Sequence, residues 1–367
     1  MRLQIARIQV SGKGPHPLHA ALPPARIMPA LLASLACAGQ APAQCAADIA
    51  PSGSVDGEDL GVLLSAWGPV DGPATRSDLN ADGAVDGADL AELLTAWGTC
   101  AVHVPSWASL VEAHPDPLVV TDAALREAII TTRLAWRVRD TATQIEMLLV
   151  PSGSFVMGCS PSELVACDND EFPRHAVTLT QPYYLGRYEV MQAEWRRIVP
   201  VNPSFFSTMP DSDLRPVEQV NWNMARDFAA LGGFRLPTEA EWEYACRAGT
   251  STAYHNGSNA NSAVSEIAWI STNAMQRSHA AGELRGNALG FHDMSGNVWE
   301  WVADFHGASY YAVSPAVDPT GPTTGGCRVI RGGAWYYQSW NARSSNRGCD
   351  APQTATTYIG FRVARTP

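Results

Sequence analysis

An internal repeat constrains the fold of this chain more than any other feature. The copies DIAPSGSVDGEDLGVLLSAWG (48–68) and DLNADGAVDGADLAELLTAWG (78–98) lie 30 residues apart. Each reads as an acidic, glycine-containing loop followed by an amphipathic helix. The apolar stripes are Leu60, Leu63, Leu64 and Trp67 in the first copy, and Leu90, Leu93, Leu94 and Trp97 in the second. One short helix cannot bury such a stripe alone, so the two copies are predicted to pack against each other.

The second loop has oxygen-bearing residues at the spacing of a calcium-binding loop. Gly83 stands where such a loop turns sharply, and the alternative is an ordinary Asp/Asn/Gly surface turn. The predicted ligands are Asp78, Asn80, Asp82, Ala84 (through its carbonyl), Asp86 and Asp89. In the first loop, Ala50 and Ser52 replace two of the stronger ligands, so we expect a weaker site. Its ligands would be Asp48, Ser52, Asp56 and Asp59.

The N-terminal segment predicts export. Residues 30–38 form a short apolar run after Arg26, and Ala41-Pro42-Ala43 fits a cleavage site, so we interpret 1–43 as a signal peptide. We expect no membrane span after cleavage, and a protein that is secreted or held in the periplasm or cell envelope. A net charge of −11 without a Lys/Arg cluster argues against a nucleic-acid partner.

Cysteine usage fits an exported chain. Seven cysteines follow residue 43, and an oxidising compartment permits disulfides between them. The expected pairs are Cys45–Cys100 and Cys159–Cys167, and Cys349 is expected to pair either with Cys327 or with Cys246. The first pair would join the two ends of the repeat pair.

Residues 118–367 show no internal boundary and are predicted to form one domain after a linker at 101–117. We expect a helix from Thr121 to about Thr132 and a hairpin made by AWRVRD and IEMLLVP. In RLPTEAEWEYACRAGT (235–250), Thr238 and Glu241 predict a capping box and Gly249 a helix end. The glutamates of this helix, Glu239, Glu241 and Glu243, are expected to face water rather than to act as general acids.

Seven motifs in order give this domain a resemblance to a known family. They are GSFVMG (153–158), YEVMQAEW (188–195), RPVEQVNWNMARDFAA (215–230), RLPTEAEWEYACRAG (235–249), MSGNVWEW (294–301), RVIRGGAW (328–335) and IGFRVA (359–364). Together they resemble the formylglycine-generating enzyme, or sulfatase-modifying factor, family. The resemblance implies an α+β, C-type-lectin-like fold with little regular secondary structure. It also implies a calcium ion at the MSGNVWEW turn, held by Asp293, Glu300 and the carbonyls of Gly296 and Val298, although the spacing alone favours an ordinary turn.

The same resemblance points to a missing copper site. Active members bind copper through two cysteines and oxidise a sulfatase cysteine to formylglycine. Here Tyr337 takes the place of the first cysteine, the second falls around Trp340 and Asn341, and no cysteine occurs between Arg328 and Gly348. Copper(I) selects soft thiolate, for which a phenol is a poor substitute. We therefore do not expect copper as a cofactor.

Two functions follow for the large domain. The first is a non-oxidase module that binds an unidentified ligand or protein, with Trp335 assigned to the core. Its ligand-binding residues would be Tyr336, Tyr337, Trp340, Asn341 and Arg343. The alternative is a divergent formylglycine-generating oxidase acting on a sulfatase cysteine.

Residues 44–100 resemble a type I dockerin, a small all-α, EF-hand-like module that binds calcium. The resemblance rests on the duplication, on the Leu-Leu helices and on the ligand spacing of the second loop. Dockerins bind cohesin modules on scaffolds or cell surfaces. The implied partner is a cohesin-like or cell-envelope protein.

Overall fold

The computed structural model describes residues 47–70, 75–161, 167–258 and 260–367. The predicted signal peptide 1–43 and Cys45 lie outside these residues. The described helices are α1 Gly57–Ser65, α2 Gly87–Thr95, α3 Ala123–Thr131, α4 Gln192–Trp195, α5 Trp222–Leu231, α6 Glu239–Arg247 and α7 Asn261–Val264. The described strands are β1 Ser54–Val55, β2 Gly68–Pro69, β3 Ala84–Val85, β4 Gly98–Thr99, β5 Ala108–Glu112, β6 Arg137–Asp140, β7 Glu146–Val150, β8 Gly153–Met157, β9 His175–Leu179, β10 Tyr183–Gly186, β11 Trp299–Phe305, β12 Arg328–Arg331, β13 Gly348–Asp350, β14 Ile359–Phe361 and β15 Ala364–Arg365.

Each repeat copy forms a loop, a two-residue strand and a helix. Asp56 and Asp86 cap α1 and α2, because each side chain accepts a hydrogen bond from a backbone N–H in the first helical turn. β1 pairs with β4 and β3 pairs with β2. The strand of each loop therefore pairs with the segment that follows the helix of the other copy, and the two copies pack together as the repeat predicts.

Only part of each predicted apolar stripe is buried. Leu63 and Leu93 are fully buried between the copies, together with Val55 and Val85 of the short strands. The side chains of Leu64, Trp67, Leu94 and Trp97 remain 52%, 49%, 52% and 48% exposed. The prediction of complete burial is wrong for these four, because two nine-residue helices are too short to cover both stripes.

A five-stranded antiparallel sheet begins the large domain, in the order β15-β10-β7-β6-β5. The predicted hairpin is confirmed as β6 and β7, with Val138 opposite Met147. Its edge strand β5 lies inside 101–117, so the linker prediction is corrected. Pro105 and Pro115 fall outside this strand, which leaves the backbone of ASLVE able to pair with β6.

Helix boundaries follow the capping residues closely. α3 begins after Asp122 rather than Thr121, because the Asp122 carboxylate accepts the hydrogen bond of the Leu125 N–H. At α6 the capping box of Thr238 and Glu241 is confirmed in both directions. The left-handed backbone that ends α6 starts at Ala248, with φ of 46°, one residue before the predicted glycine.

A second sheet has the strand order β13-β12-β11-β14, and the aromatic stretch 331–345 begins at the last residue of β12. β11 pairs antiparallel with β12 and parallel with β14. Behind it, Trp195 stacks on Phe228 with ring centroids 5.0 Å apart, and Phe361 of β14 packs edge-on against both. β12, from whose end the aromatic stretch leaves, is joined to β14 through β11. Among the described residues, no helix combines the length and apolar character needed to cross a membrane.

Candidate functional site

The aromatic stretch 331–345 leaves β12 through two glycines. Gly332 and Gly333 have positive φ angles of 94° and 75°. A Cβ atom at Gly333 would lie 2.9 Å from backbone atoms of Asn341 and Ala342. Only glycine tolerates both the conformation and this approach, so the chain turns back on itself here. The fold-back brings the aromatic residues to one surface of the domain.

Three tyrosines form a connected group, the tyrosine cluster, made of Tyr336, Tyr337 and Tyr358. The rings of Tyr336 and Tyr358 are stacked at 6.0 Å, and the ring of Tyr337 meets both edge-on at 5.8 and 5.3 Å. Tyr336 is 61% exposed, whereas Tyr337 is half-buried. Tyr337 also packs edge-on against Trp299 of β11 at 5.7 Å, so the cluster rests on the second sheet.

The two tryptophans of the stretch have different roles. Trp335 is buried, donates its indole N–H to the Thr357 carbonyl and packs against Phe206, which confirms its assignment to the core. Trp340 lies on the 3-10 turn Ser339–Ala342 and is 55% exposed. Asn341, half-buried, follows on the same turn. Tyr358 was not predicted as a site residue, because it is distant in sequence from Tyr336 and Tyr337 and lies just outside the motif at 359–364.

Arg343 does not belong to this surface. Its side chain is only 1% exposed, and its guanidinium pairs with both carboxylate oxygens of Glu171 at 2.7 and 2.8 Å. Burial opposes ionisation of Glu171, but Arg343 overrides this and lowers the pKa of the carboxyl below its ordinary value. The prediction of Arg343 as a ligand-binding residue is corrected, because its charge is already used inside the domain.

The inner face of α6 carries buried charges beside its apolar residues. Glu239 binds Arg347 through both carboxylate oxygens, at 2.7 and 2.9 Å. Glu243 is fully buried between Arg247 and Arg331. The prediction that these glutamates face water is wrong for Glu239 and Glu243. Arg331, at the start of the aromatic stretch, pairs with Glu243, and Arg347, just after its end, pairs with Glu239.

Four of the five cysteines in the large domain form disulfides. The structure has a disulfide between Cys159 and Cys167, as expected, and one between Cys327 and Cys349, which is one of the two pairings that the sequence left open for Cys349. Cys246 is a buried free thiol, 3.5 Å from the Ser344 hydroxyl. Burial raises the pKa of this thiol to about 11, so it stays protonated at neutral pH.

The acidic turn, which we define as residues 293–300, contains the predicted ligands of the second calcium. Glu300 accepts two hydrogen bonds from Arg362 and one from the indole of Trp242, each at 2.7 Å. Asp293 accepts the Gly282 N–H through Oδ2, whereas its buried Oδ1 has no partner among the described residues. The carbonyls of Gly296 and Val298 belong to the same turn.

A third carboxylate adds negative charge to the acidic turn. Glu189 is fully buried and accepts hydrogen bonds from the Asn297 side chain and the Val298 N–H. Burial raises the pKa of Asp293 to about 6, and the Glu300 carboxylate adds to the rise. Three buried carboxylates thus face one guanidinium, that of Arg362. Both oxygens of Glu300 are already occupied by Arg362 and Trp242, which leaves Asp293 Oδ1 as the side-chain oxygen of the predicted ligands that is open to a cation. Glu189 belongs to the motif YEVMQAEW and Arg362 to the motif IGFRVA, but the spacing in the sequence does not show that the two side chains lie close together.

The second repeat loop is organised by its first and last acidic residues. Asp78 accepts the N–H groups of Asp82 and Gly83. Asp89, fully buried, accepts N–H groups from the start of the loop and from Asp86. The remaining predicted ligands are Asn80, Asp82, Ala84 and Asp86, so the donor set consists of oxygen atoms alone. Such a set fits a hard cation such as calcium.

The first loop repeats this hydrogen bonding with fewer ligands. Asp48 accepts the N–H groups of Ser52 and Gly53, and Asp59 accepts those of Ala50 and Asp56. Ser52 turns its hydroxyl to the carbonyl of Ser54. Cys100 lies beside Asp48, with its Sγ 3.8 Å from a carboxylate oxygen. The loop keeps its shape while offering a weaker set of donors.

Comparison with known protein families matches residues 135–367 to the sulfatase-modifying factor enzyme 1-like domain. The chain belongs to this family. Over 163 residues it is 36% identical to the formylglycine-generating enzyme of Streptomyces coelicolor, covering 41% of this chain and 52% of that protein. It is 34% identical over 212 residues to the enzyme of Thermomonospora curvata, covering 52% and 67%. The chain spans only about half the length of the first of these relatives.

Solved structures agree with the family assignment. Treponema denticola variable protein 1 matches with a TM-score of 0.55 and 26% identity, over 61% of this chain and 95% of that one. PvdO from Pseudomonas aeruginosa matches with a TM-score of 0.56 and 29% identity, over 63% and 98%. The predicted mixed fold of helices and strands is confirmed for the family domain.

Proposed function

We propose that the family domain is a non-oxidase binding module that presents the tyrosine cluster and Trp340 to a ligand or a protein. The observation that carries this proposal is Tyr337. It stands where the resemblance places the first copper cysteine. Burial, followed by the hydrogen bond with Tyr358, raises the pKa of its phenol above the ordinary value. A neutral phenol is a weak ligand for copper(I), which selects thiolates.

The cysteines of the domain support the same proposal. Four of them are joined in disulfides, and Cys246 is a single, buried, protonated thiol. Copper in the active enzymes requires two thiolates. Among the described residues of the domain, no second thiol accompanies Cys246.

The chemistry of the surface suits recognition. Tyr336 and Trp340 expose large aromatic faces, and Asn341 adds an amide on the same turn. Aromatic side chains of this kind bury much apolar area at low cost in conformational entropy, and they are enriched where binding energy is concentrated. The rigid second sheet holds Tyr337 from behind through Trp299.

We expect the protein not to convert a sulfatase-derived cysteine peptide to formylglycine, even with copper and oxygen supplied. The reaction needs a thiolate pair, so Tyr337→Cys alone should also be inactive. Mass spectrometry of the peptide measures the aldehyde directly. An active family member assayed in parallel verifies the copper loading. Copper-dependent turnover by the unmodified protein would exclude the non-oxidase proposal and establish the oxidase alternative.

Binding should depend on the exposed aromatic residues. Glycan and peptide arrays provide the probes. For a probe that the protein captures, Trp340→Ala should make the free energy of binding less favourable by about 1–3 kcal/mol. Leu231→Ala, which removes an apolar side chain that is 72% exposed at the end of α5, serves as the control. Equal affinity of the unmodified protein, Trp340→Ala and Tyr336→Ala for that probe would count against this surface.

The oxidase alternative has one observation in its favour. The named relatives at 34–36% identity are formylglycine-generating enzymes. A divergent oxidase acting on a sulfatase cysteine would have to bring Cys246, or a reduced Cys327–Cys349 pair, to the peptide. The turnover assay distinguishes the two proposals.

For the repeat pair we propose a dockerin-like calcium module of an exported protein. The oxygen-only loop at 78–89 supports calcium binding, and the acidic turn supports a second calcium in the family domain. Leu64 of α1 and Leu94 of α2, together with Trp67 and Trp97 just after these helices, are half-exposed and offer an apolar face for a cohesin-like or cell-envelope partner. The proposed location is outside the cell, in the periplasm or on the envelope.

A further inference from the structure

A cleft of about 560 Å³ shares no lining residue with the tyrosine cluster or with Trp340. We call it the cationic cleft, after the guanidiniums of Arg187 and Arg285 that line it, and the imidazoles of His255 and His292 line it as well. No Asp or Glu is among the described residues of its lining. In a chain of net charge −11, such a lining is a local reversal of the overall charge.

The positive charge in the cationic cleft is only partly neutralised. Arg187 shares the single carboxylate of Glu146 with Arg137 and Arg139, and its N–O distance of 3.3 Å is the longest of the three. Arg285 is 63% exposed and lies 3.7 Å from an equally exposed glutamate. Both guanidiniums therefore retain the capacity to bind an anion.

The imidazoles report the same positive field. Burial, and then the charges of Arg285 and His292, lower the pKa of His255 to about 4. The pKa of His292 is also lowered, first by burial and then by the charges of Arg187 and Arg362, although its hydrogen bond with the Leu284 carbonyl acts in the opposite direction. His255 is therefore uncharged at neutral pH, and the positive charge of the cleft at that pH comes from the guanidiniums of Arg187 and Arg285.

One wall of the cationic cleft comes from outside the family domain. Leu118, Val119 and Thr121 line it, and the family match begins only at residue 135. This wall is held in place, because Val120 is fully buried and the Arg126 guanidinium donates to the carbonyls of Val120 and Thr121 at 2.7 and 2.9 Å. The cleft is thus a feature of this chain rather than of the family domain alone.

The opposite wall is held in place by hydrogen bonds of one side chain, that of Asn287. The Asn287 side chain donates to the carbonyls of Ala245 and Cys246, and it accepts the N–H groups of Leu289 and Phe291. These four bonds hold the loop 286–291 against the end of α6. A cleft held on both sides can bind without paying to order its walls.

We infer that the cationic cleft binds the phosphate or sulfate group of a small organic ester. Two guanidiniums match the oxygens of a tetrahedral anion. The volume lies within the range of small-molecule sites. Leu118, Val119 and Ala288 offer apolar contacts to a carbon skeleton. The inference does not depend on the proposed role of the tyrosine cluster.

Isothermal titration of the full chain with four probes tests this inference: glucose 6-phosphate, glucose 6-sulfate and the two inorganic anions, with glucose as the neutral control. We expect at least one ester to bind more tightly than its inorganic anion, and glucose not to bind. Arg285→Gln should lower the affinity for the ester about tenfold or more, and Arg285→Lys should recover part of the lost affinity. The melting temperature should not change, because Arg285 is exposed. Binding of one ester but not the other would identify the source of the anion.

Arg226→Gln is the matched control, since it removes an equal charge from an exposed guanidinium on α5. An equal loss in this variant would show that net charge alone attracts the probes, and would overturn the inference. So would ester binding that persists unchanged in Arg285→Gln, or binding of inorganic anions as tight as that of the esters. Failure of all four probes to bind at millimolar concentration would also overturn it.

Discussion

Replacing Glu243 with glutamine is expected to lower the free energy of unfolding of the family domain by about 3–5 kcal/mol. The Glu243 carboxylate is fully buried. It accepts a hydrogen bond from the Gly158 N–H at 2.9 Å and one from the Arg247 guanidinium at 2.8 Å. It also pairs with the buried guanidinium of Arg331. Glutamine keeps the shape but removes the charge, which leaves two buried guanidiniums with too little compensation. Chemical denaturation followed by tryptophan fluorescence measures the change.

Glu241→Gln on the same helix is the matched control. Glu241 pairs with Arg235, and their side chains are 13% and 39% exposed, so solvent screens this pair more than the buried pairs of Glu243. Glutamine at this position can still complete the capping box. We expect a loss of less than about 1 kcal/mol. Equal losses in the two variants would show that the buried network under the aromatic stretch is not what holds this region together.

Calcium at millimolar concentration is expected to stabilise the repeat pair by about 2.7 kcal/mol, for a dissociation constant of about 10⁻⁵ M. The physical reason is linkage: the ion would bind the folded loop, in which the predicted oxygen donors are held close in space, and not the unfolded chain. Hydrogen exchange of peptides from 78–98 in the full chain, with calcium and with chelator, measures the effect. Asp82→Ala should remove most of it, because position 5 of the loop loses its carboxylate.

Ser52→Ala changes the equivalent position of the first loop and is the control for Asp82→Ala. The first loop offers fewer donors, so this variant should keep most of the calcium effect. The calcium proposal for the repeat pair fails if exchange in 78–98 is the same in calcium and in chelator. A larger loss in Ser52→Ala than in Asp82→Ala would reverse the assignment of the strong and weak loops.

Local features were predictable where a short segment carries its own physics. The capping box at Thr238 and the β6–β7 hairpin follow from residues that are neighbours in the chain. The edge strand β5 was missed, because a strand of five residues between prolines gains its stability from a partner, β6, that lies more than 20 residues away. Half of each predicted stripe in the repeat pair stayed exposed for a related reason, since periodicity tells which residues share a face but not how much surface covers it.

The sequence by itself determined the family of residues 135–367, the repeat and the absence of cysteine between Arg328 and Gly348. Only the tertiary structure decided which polar residues meet. It buried Arg343 on Glu171 and Glu243 on Arg331, and it brought Tyr358 to Tyr337. A charged side chain in a sequence looks solvent-exposed by default, because burial without a partner is costly. The partner that removes this cost lies up to 172 residues away, and only the fold supplies it.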